Sequence, residues 1–275
     1  MEPPAGAPDW LQVVTAKERP DLWERAGQEH VFDQVWPEYN HHGNHAPRYF
    51  GALCPRYAHL QALLVDRRRG ELAARARTIP FAWDGTLADL PAGIDAMGLR
   101  AVDGARAAGT LSALAAEVLP AYQGAGLSKL VIEVMVAMAR SSGFEGLVAP
   151  VRPNRKHLYP LMPIEGYAAW KRADGLPFDP WLRAHVRLGG TVLRCEPRSM
   201  EIAAPVGDWE AWTSMAFPED GDYVFPEGLA PLRVEGGTGV YWEPNVWVLH
   251  GKLETSDQVV THDQTAGGRT DPPEK

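Results

Sequence analysis

The sequence is poor in cysteine and has no long apolar run. Only two cysteines, Cys54 and Cys195, occur among 275 residues. Two cysteines cannot build a disulfide framework, so we expect a fold that rests on a hydrophobic core in a reducing, cytoplasmic setting. No uncharged apolar stretch reaches the ~18 residues that a membrane span needs. The N-terminal residues Met1–Pro4 also lack the basic and apolar regions of a signal peptide.

A basic excess is also missing. Lys and Arg number 27 against 35 Asp and Glu, which gives a net charge of −8. Nucleic-acid binding usually requires a basic face, so we expect no nucleic-acid partner, although a local basic pocket for an anionic ligand remains compatible with this balance. The hydrophobic fraction of 45% is typical of a globular chain long enough to bury a sizeable core.

The order of apolar segments predicts an α/β or α+β fold with a mixed central sheet and helices on both faces. Strands are predicted at 10–15, 61–65, 71–83, 110–119 and 146–151, and helices within 21–39, 45–60 and 127–141. Residues 84–106 are rich in Gly, Pro and Asp, which predicts a long loop or an insert.

Four segments follow from this pattern and from composition. Residues 1–9 are Pro-rich and predicted to be flexible, and residues 10–175 form the predicted core domain. Residues 176–252 are aromatic-rich and are predicted to be an extension that completes the same sheet. Residues 253–275 are polar, with almost no apolar content, which predicts a disordered tail.

The segment 117–128, EVLPAYQGAGLS, joins a strand to an apolar helix through Pro120 and a Gly-rich turn. Glycine has no Cβ, so backbone at such a turn approaches a ligand closely. The first turn of the following helix offers free N–H groups and the positive end of the helix dipole, which together suit a pyrophosphate. A Walker loop does not fit, because Ser128 precedes Lys129, and a plain strand–turn–helix corner is the alternative.

This segment resembles motif A of the GNAT superfamily of acyl-CoA-dependent N-acyltransferases. The family pattern is Gln/Arg-x-x-Gly-x-Gly/Ala after a strand that ends in Val-x-Pro. Gln123, Gly126 and Val118-Leu119-Pro120 match it, and Ser128 stands at the final small position. The resemblance covers about residues 10–170 and implies a GNAT-like sheet flanked by helices.

The resemblance also implies how acetyl-CoA, or another acyl-CoA, binds as co-substrate. Its pantetheine arm is expected between the strands 110–119 and 146–151, with the backbone of Val118 as a partner. The expected pyrophosphate site is the backbone of Gln123, Gly124, Ala125, Gly126, Leu127 and Ser128. No metal is implied: His41 and His45 stand four residues apart, but no third ligand accompanies them.

Residues 154–159 are the second segment to which the resemblance assigns a role. Family members often have an Asn, a short helix and then a Tyr that protonates the departing thiolate. Asn154 and Tyr159 are the best match, although Tyr159 follows Asn154 more closely than is usual. Packing as an ordinary aromatic is the alternative for Tyr159. Arg155 and Lys156, together with Arg152, form a basic cluster that either meets the 3′-phosphate of coenzyme A or is a solvated face.

Glu117 stands out as a charged residue within an apolar strand segment. Such a carboxylate is either paired or perturbed for function, and we consider it as the general base that deprotonates the acceptor. A serine nucleophile is excluded by the lack of a Gly-x-Ser-x-Gly elbow.

The resulting prediction is an enzyme that moves an acetyl or other short acyl group from acyl-CoA directly to the amine of a small molecule. Two alternatives stay open: a GNAT-fold decarboxylase or S-acyltransferase, and a non-catalytic acyl-CoA-binding module. Pairing of C-terminal edge strands predicts a homodimer.

Overall fold

The computed structural model describes residues 1–104 and 107–252. In that part of the chain nine strands form one sheet. They are β1 (Leu11–Thr15), β2 (Ala62–Asp66), β3 (Glu71–Phe81), β4 (Thr110–Val118), β5 (Leu147–Val151), β6 (Thr191–Pro205), β7 (Gly221–Tyr223), β8 (Leu232–Glu235) and β9 (Thr238–His250). The predicted disordered tail, residues 253–275, lies outside the described residues.

Helices connect most of these strands. They are α1 (Pro20–Gln28), α2 (Ala46–Gly51), α3 (Leu53–Tyr57), α4 (Gly93–Asp103), α5 (Leu127–Ser141), α6 (Ile164–Ala169), α7 (Pro180–Arg187) and α8 (Val206–Thr213). Short 3-10 turns at Asp33–Val35 and Glu38–His42 continue the chain after α1. Within the described ranges, no helix combines the length and apolar character needed to span a bilayer.

The sheet is mixed. Among the described strands, one neighbouring pair at its centre runs parallel, and the other pairs run antiparallel. The strand order is β1-β2-β3-β4-β5-β9-β8-β7, and β6 pairs with β9. Strand β9 therefore has β6 along one edge and β5, then β8, along the other. Only β4 and β5 pair in parallel. The C-terminal strands thus belong to the same sheet as the N-terminal ones.

The parallel pair separates soon after it begins. Strands β4 and β5 pair only through Leu111 with Leu147 and Ser112 with Val148. On its other side β4 carries a bulge, because Arg77 pairs with Ala115 while Thr78 pairs with Ala113, leaving Leu114 without a partner on β3. A bulge bends its strand and increases the twist. The remainder of β4 therefore turns away from β5 and leaves a split in the sheet.

Two apolar layers cover the two faces of the sheet. Alternate residues of a strand point to opposite faces, and β5 shows this directly. Leu147, Ala149 and Val151 pack in one cluster with α5. Val148 belongs to the opposite cluster, which contains residues of α2, α4 and α8. We call these the α5 face and the α2 face.

Of the two predictions for 84–106, a long loop is wrong and an insert fits, because helix α4 occupies much of this segment. Ile94 and Met97 are three residues apart and buried, which is helical spacing. Gly98 permits the packing: a Cβ there would lie 2.4 Å from Cδ1 of Tyr49. This glycine, part of the content that suggested a loop, in fact allows close contact between α4 and α2.

Candidate active site

A cavity of about 690 Å³ occupies the split between β4 and β5. Residues 113–116 of β4 and 149–151 of β5 form its two walls. On the α5 face it is lined by Gly124, Ser128, Met135, Trp181 and His185. On the α2 face it is lined by Asn40, His41, Phe50, Met200, Glu243 and Asn245. The cavity therefore passes through the sheet and opens toward both faces.

The Gly-rich turn stands at the mouth of this cavity on the α5 face. Gly124 and Gly126 have φ angles of +79° and +78°, in the left-handed region that favours glycine. Gly126 is the N-cap of α5, and nothing lies within 4 Å of a Cβ built on it. The backbone N–H groups of residues 124–128 donate to no backbone acceptor in the described chain. The turn thus offers a row of free donors at the positive end of a helix.

The predicted cofactor residues in and just before this turn fall into two groups. Val118, Gln123, Gly124 and Ser128 line the cavity. Ala125, Gly126 and Leu127 contribute backbone in the same turn, and the Leu127 side chain is buried in the core. The Gln123 side-chain Nε2 donates to the Val118 carbonyl at 3.1 Å, so this amide braces the turn.

The predicted 3′-phosphate cluster separates in the structure. Asn154 lines the cavity. The backbone N–H of Arg155 donates to Oδ2 of Asp179 at 2.9 Å, and its side chain is exposed. Arg152 is turned toward the α2 face, where it pairs with Glu243.

The prediction that Lys156 meets the 3′-phosphate does not fit its environment. Its side chain is 1% exposed, and its Nζ donates to the carbonyls of Leu229 at 2.6 Å and Tyr159 at 2.8 Å. Burial lowers the pKa of this ammonium group to about 8. Lys156 therefore links two segments of the chain, because its ammonium group is bound by backbone carbonyls from both.

Glu117 is paired, and this counts against the general-base hypothesis. Its carboxylate accepts from Arg75 at 2.7 and 2.9 Å, from Arg77 at 2.9 Å and from Trp36 at 2.9 Å. Burial by itself raises the pKa of this carboxyl, but Arg77 and Arg75 outweigh burial and lower the pKa to about 2. A carboxylate held by these four hydrogen bonds is a poor proton acceptor at neutral pH.

Tyr159 is absent from the cavity lining among the described residues, which counts against the hypothesis that it is the acid. Its ring packs edge-on against Trp170, with centroids 4.9 Å apart, and against Phe178 at 6.1 Å. Within the described chain its hydroxyl has no hydrogen-bond partner. Tyr159 directly follows the short 3-10 helix at Lys156–Leu158. The packed-aromatic alternative is the one that the structure favours.

A buried histidine that the sequence did not single out lines the cavity, and a second buried histidine contacts it. His185 of α7 lines the cavity, and the Nδ1 of His185 lies 2.9 Å from Nε2 of His250 at the end of β9. The two residues are 65 positions apart and belong to no local motif. They meet because α7 leads into β6, whose first residue, Thr191, pairs with Leu249 at the end of β9.

The α2 face contributes a second group that sequence reasoning missed. Glu243 is 2% exposed and hydrogen-bonds to Arg152 and to the hydroxyl of Tyr241. Arg152 also donates to the Tyr39 hydroxyl at 3.0 Å. The Oδ1 atom of Asn40 is buried and lacks a hydrogen-bond partner in the described chain. This end of the cavity therefore contains the Arg152–Glu243 ion pair and, in Oδ1 of Asn40, a buried acceptor without a donor in the described chain.

His41 and His45 do not form a metal centre in the described residues. His41 lines the cavity, with its Nε2 3.2 Å from the Asp33 carbonyl. In residues 1–104 and 107–252, no three His, Cys, Asp or Glu side chains gather as a metal-binding group.

Comparison with known proteins gives one strong sequence match. The chain is 32% identical to the arginine N-acetyltransferase avaD of Aspergillus versicolor over 276 residues, which cover 88% of this chain and 94% of that protein. No protein-family model matches the chain.

Two solved structures share the fold. The loading GNATL domain of CurA from Lyngbya majuscula matches with a TM-score of 0.56 and 17% identity over 88% of this chain and 98% of that one. The GphF GNAT-like decarboxylase, in complex with isobutyryl-CoA, matches with a TM-score of 0.51 and 17% identity over 88% of this chain and 98% of that one. At such identities these likenesses concern the fold alone.

Three findings point to one family: the sequence motif, the split between β4 and β5, and the relative of 32% identity. The chain belongs to the GNAT superfamily and is an acyl-CoA-dependent N-acyltransferase.

Proposed function

We propose that the protein transfers an acetyl group from acetyl-CoA to a nitrogen of a small molecule, and that arginine or a small compound containing it is the acceptor. The observation that carries this proposal is the cavity that passes through the sheet. A donor entering from the α5 face and an acceptor entering from the α2 face meet in the split without exchanging places. Direct transfer in a ternary complex follows from that arrangement.

The donor end fits an acyl-CoA. The free N–H groups of residues 124–128 suit a pyrophosphate, which needs several donors and a positive potential. Beyond the turn, β4 runs along the cavity without pairing to β5 after Ser112. Its unpaired backbone groups offer donors and acceptors to the amides of a pantetheine arm. A thioester carbonyl near the bulge at Leu114 meets backbone N–H groups that polarise it.

The acceptor end fits a molecule with an apolar stem and a nitrogen-rich head. Phe50 and Trp36 provide aromatic surface in the cavity wall. The buried Oδ1 of Asn40 offers a free acceptor to an N–H donor, whereas Oδ1 of Asn245 in the same wall already accepts from the Ser199 hydroxyl at 2.6 Å. Because Glu243 and Arg152 neutralise each other, a cationic head meets no unpaired like charge from them. The relative named as an arginine N-acetyltransferase adds independent support for arginine.

The first experiment is calorimetric titration with acetyl-CoA, with coenzyme A, and with adenosine 3′,5′-bisphosphate. We expect saturable binding that is tighter when the pantetheine arm is present. Thiol release is then followed with arginine, agmatine, lysine and other amines, and the product is identified by mass. A mass increase of one acetyl group on arginine or an arginine compound is the expected result.

Other outcomes separate the alternatives. Absence of acetyl-CoA binding overturns the proposal outright. Release of carbon dioxide from malonyl-CoA without acyl transfer to an amine supports the decarboxylase. Tight binding without turnover on a broad amine panel supports a binding module. Asn40→Ala tests the acceptor end, because it is expected to raise KM for the amine while leaving acetyl-CoA affinity unchanged.

A further inference from the structure

His185 and His250 form a buried pair to which the proposed function assigns no role. Their side chains belong to residues only 2% and 7% exposed, and their ring nitrogens are 2.9 Å apart. Trp181 stands edge-on to the His185 ring, with centroids 4.8 Å apart. In the described chain, no residue other than His250 hydrogen-bonds to the His185 ring. A buried imidazole with one nitrogen engaged and one free is suited to proton transfer.

The contact between the two rings shows which nitrogen is free. It joins Nδ1 of His185 to Nε2 of His250, so Nε2 of His185 has no partner in the described chain. A neutral imidazole has one donor and one acceptor. In the tautomer that proton transfer requires, Nδ1–H of His185 donates to Nε2 of His250, and Nε2 of His185 keeps its lone pair. This nitrogen belongs to a residue that lines the cavity.

The pair lies near the closed end of the split. His250 pairs with Leu147 across β5 and β9, and Leu147 pairs with Leu111 where β4 and β5 are still joined. From Val118, beside the Gly-rich turn, to Ala113 is a rise of roughly 16 Å along the strand. That span is comparable to an extended pantetheine arm between its phosphate and its sulfur. An acyl-CoA anchored at the turn therefore brings its thioester toward His185.

We propose that His185 is a catalytic proton shuttle of the acyl transfer, and that His250 positions it. This inference rests on the proposed function. The acceptor nitrogen attacks the thioester carbon and the carbon–nitrogen bond forms. As the carbon–sulfur bond breaks, its electron pair goes to sulfur. Nε2 of His185 takes the proton from nitrogen and gives it to sulfur, so His185 ends neutral, as it began.

The surroundings keep the pair neutral at rest and make a protonated His185 short-lived. Burial, and then the neighbouring His250, lower the pKa of His185 to about 3, so the resting ring is neutral. Burial also lowers the pKa of His250, and Arg140 lowers it further. An imidazolium in such a site is a strong acid and quickly passes its proton to a thiolate. Among the described residues, His250 is the ionisable neighbour that shifts the pKa of His185, and Arg140 is the one that shifts the pKa of His250.

Kinetics of matched variants test the shuttle. His185→Gln is expected to lower kcat by ~100-fold or more, the usual range for a lost acid–base group, with KM for acetyl-CoA unchanged. His250→Gln keeps an acceptor for Nδ1–H and stays close to wild type, whereas His250→Leu removes it and lowers kcat. His30→Gln, on an exposed side chain, is the control. A purely structural pair predicts instead that melting temperature, acetyl-CoA affinity and kcat fall together in His185→Gln.

A spectroscopic readout on the wild-type protein makes the test independent of turnover. The ¹⁵N resonances of the histidine pair are followed during titration with coenzyme A and with desulfo-coenzyme A. We expect a shift of His185 Nε2 that requires the sulfur. Such a shift without acyl transfer to any amine overturns the proposed function and the shuttle with it, and leaves His185 only as a residue that contacts the sulfur of coenzyme A. Acyl transfer with neither a sulfur-dependent shift nor a kcat effect overturns the shuttle alone, and absence of coenzyme A binding overturns both.

Discussion

Arg75 and Glu117 face each other across β3 and β4 and share two hydrogen bonds, of 2.7 Å from Nε and 2.9 Å from Nη2. Arg77 and Trp36 donate to the same carboxylate from the side of the cavity. Glu117 is fully buried. One carboxylate therefore holds two guanidinium groups inside the protein and fixes the face of β3 next to the split.

Glu117→Gln is expected to destabilise the fold by about 3–5 kcal/mol, because it leaves two buried guanidinium groups without their counter-charge. Urea unfolding measures this loss. Glu133→Gln on α5 is the matched control, since its half-buried pair with Lys129 contributes at most about 1 kcal/mol. A Glu117→Gln protein as stable as wild type, but with much lower kcat, would restore the general-base hypothesis.

Gly126→Glu is expected to weaken acetyl-CoA binding, because it places bulk and negative charge where the pyrophosphate is proposed to lie. The φ of +78° adds backbone strain of about 1–2 kcal/mol to any such variant. Gly175→Glu controls for that strain, since Gly175 has φ +76° and open space around a Cβ but lies outside the cavity. Calorimetric titration of both variants separates the two effects. Equal affinity in both would show that the turn is only a structural corner.

Tyr159→Phe is expected to leave kcat and KM unchanged, because the hydroxyl has no partner and lies outside the cavity. Tyr159→Ala is expected to lower the melting temperature, since it removes the edge-on contacts with Trp170 and Phe178. Steady-state kinetics and thermal unfolding of the two variants check this. A selective fall of kcat in Tyr159→Phe would return the hydroxyl to the reaction.

Lys156→Met and Arg155→Gln are expected to behave differently toward coenzyme A and its 3′-dephospho form. Lys156 is directed at backbone carbonyls, so Lys156→Met changes stability and not the preference for the 3′-phosphate. The side chain of Arg155 is exposed and stays the candidate for that phosphate. Its variant is therefore expected to reduce the affinity ratio between the two ligands. A reduced ratio in Lys156→Met alone would reverse the assignment.

The parts that could be predicted from sequence depend on local pattern. Helix α5 was predicted over its full range because Leu130, Val134 and Met138 repeat at helical spacing, and the Gly-rich turn before it is a contiguous motif. Strand β4 was placed within one residue. Helix α4 was missed because its two glycines, Gly93 and Gly98, obscure the helical spacing of Ile94 and Met97.

The rest of the site depends on long-range packing, which single-sequence patterns do not encode. Glu117 was recognised as unusual, but its partners Arg75 and Arg77 become visible only when β3 pairs with β4. His185 and His250 meet only because α7 leads into β6, whose start pairs with the end of β9. The role predicted for Tyr159 came from a family spacing, and in the structure this residue follows a 3-10 helix that ends at Leu158.

Stability is expected to fall as pH drops from about 6.5 toward 3, because of His185. Its pKa is lowered from 6.5 to about 3 in the folded protein, so the unfolded chain takes up the proton first as pH falls. The free energy of unfolding then falls by up to about 1.36 kcal/mol per pH unit, which gives a loss of about 2 kcal/mol between pH 7 and 5. His250, whose pKa is also lowered, adds in the same direction. The stabilisation from Glu117, with its pKa lowered from 4.5 to about 2, is lost only below about pH 4.5.

Urea unfolding at pH 7, 6 and 5 measures this slope, and His185→Gln identifies its source. The variant is expected to lose less stability between pH 7 and 5 than wild type, whatever its absolute stability, because glutamine does not titrate there. His30→Gln is expected to keep the wild-type slope, since that side chain is exposed. Identical slopes for wild type and His185→Gln would mean that His185 is accessible to protons in the folded state. The neutral, desolvated imidazole on which the shuttle depends would then be excluded.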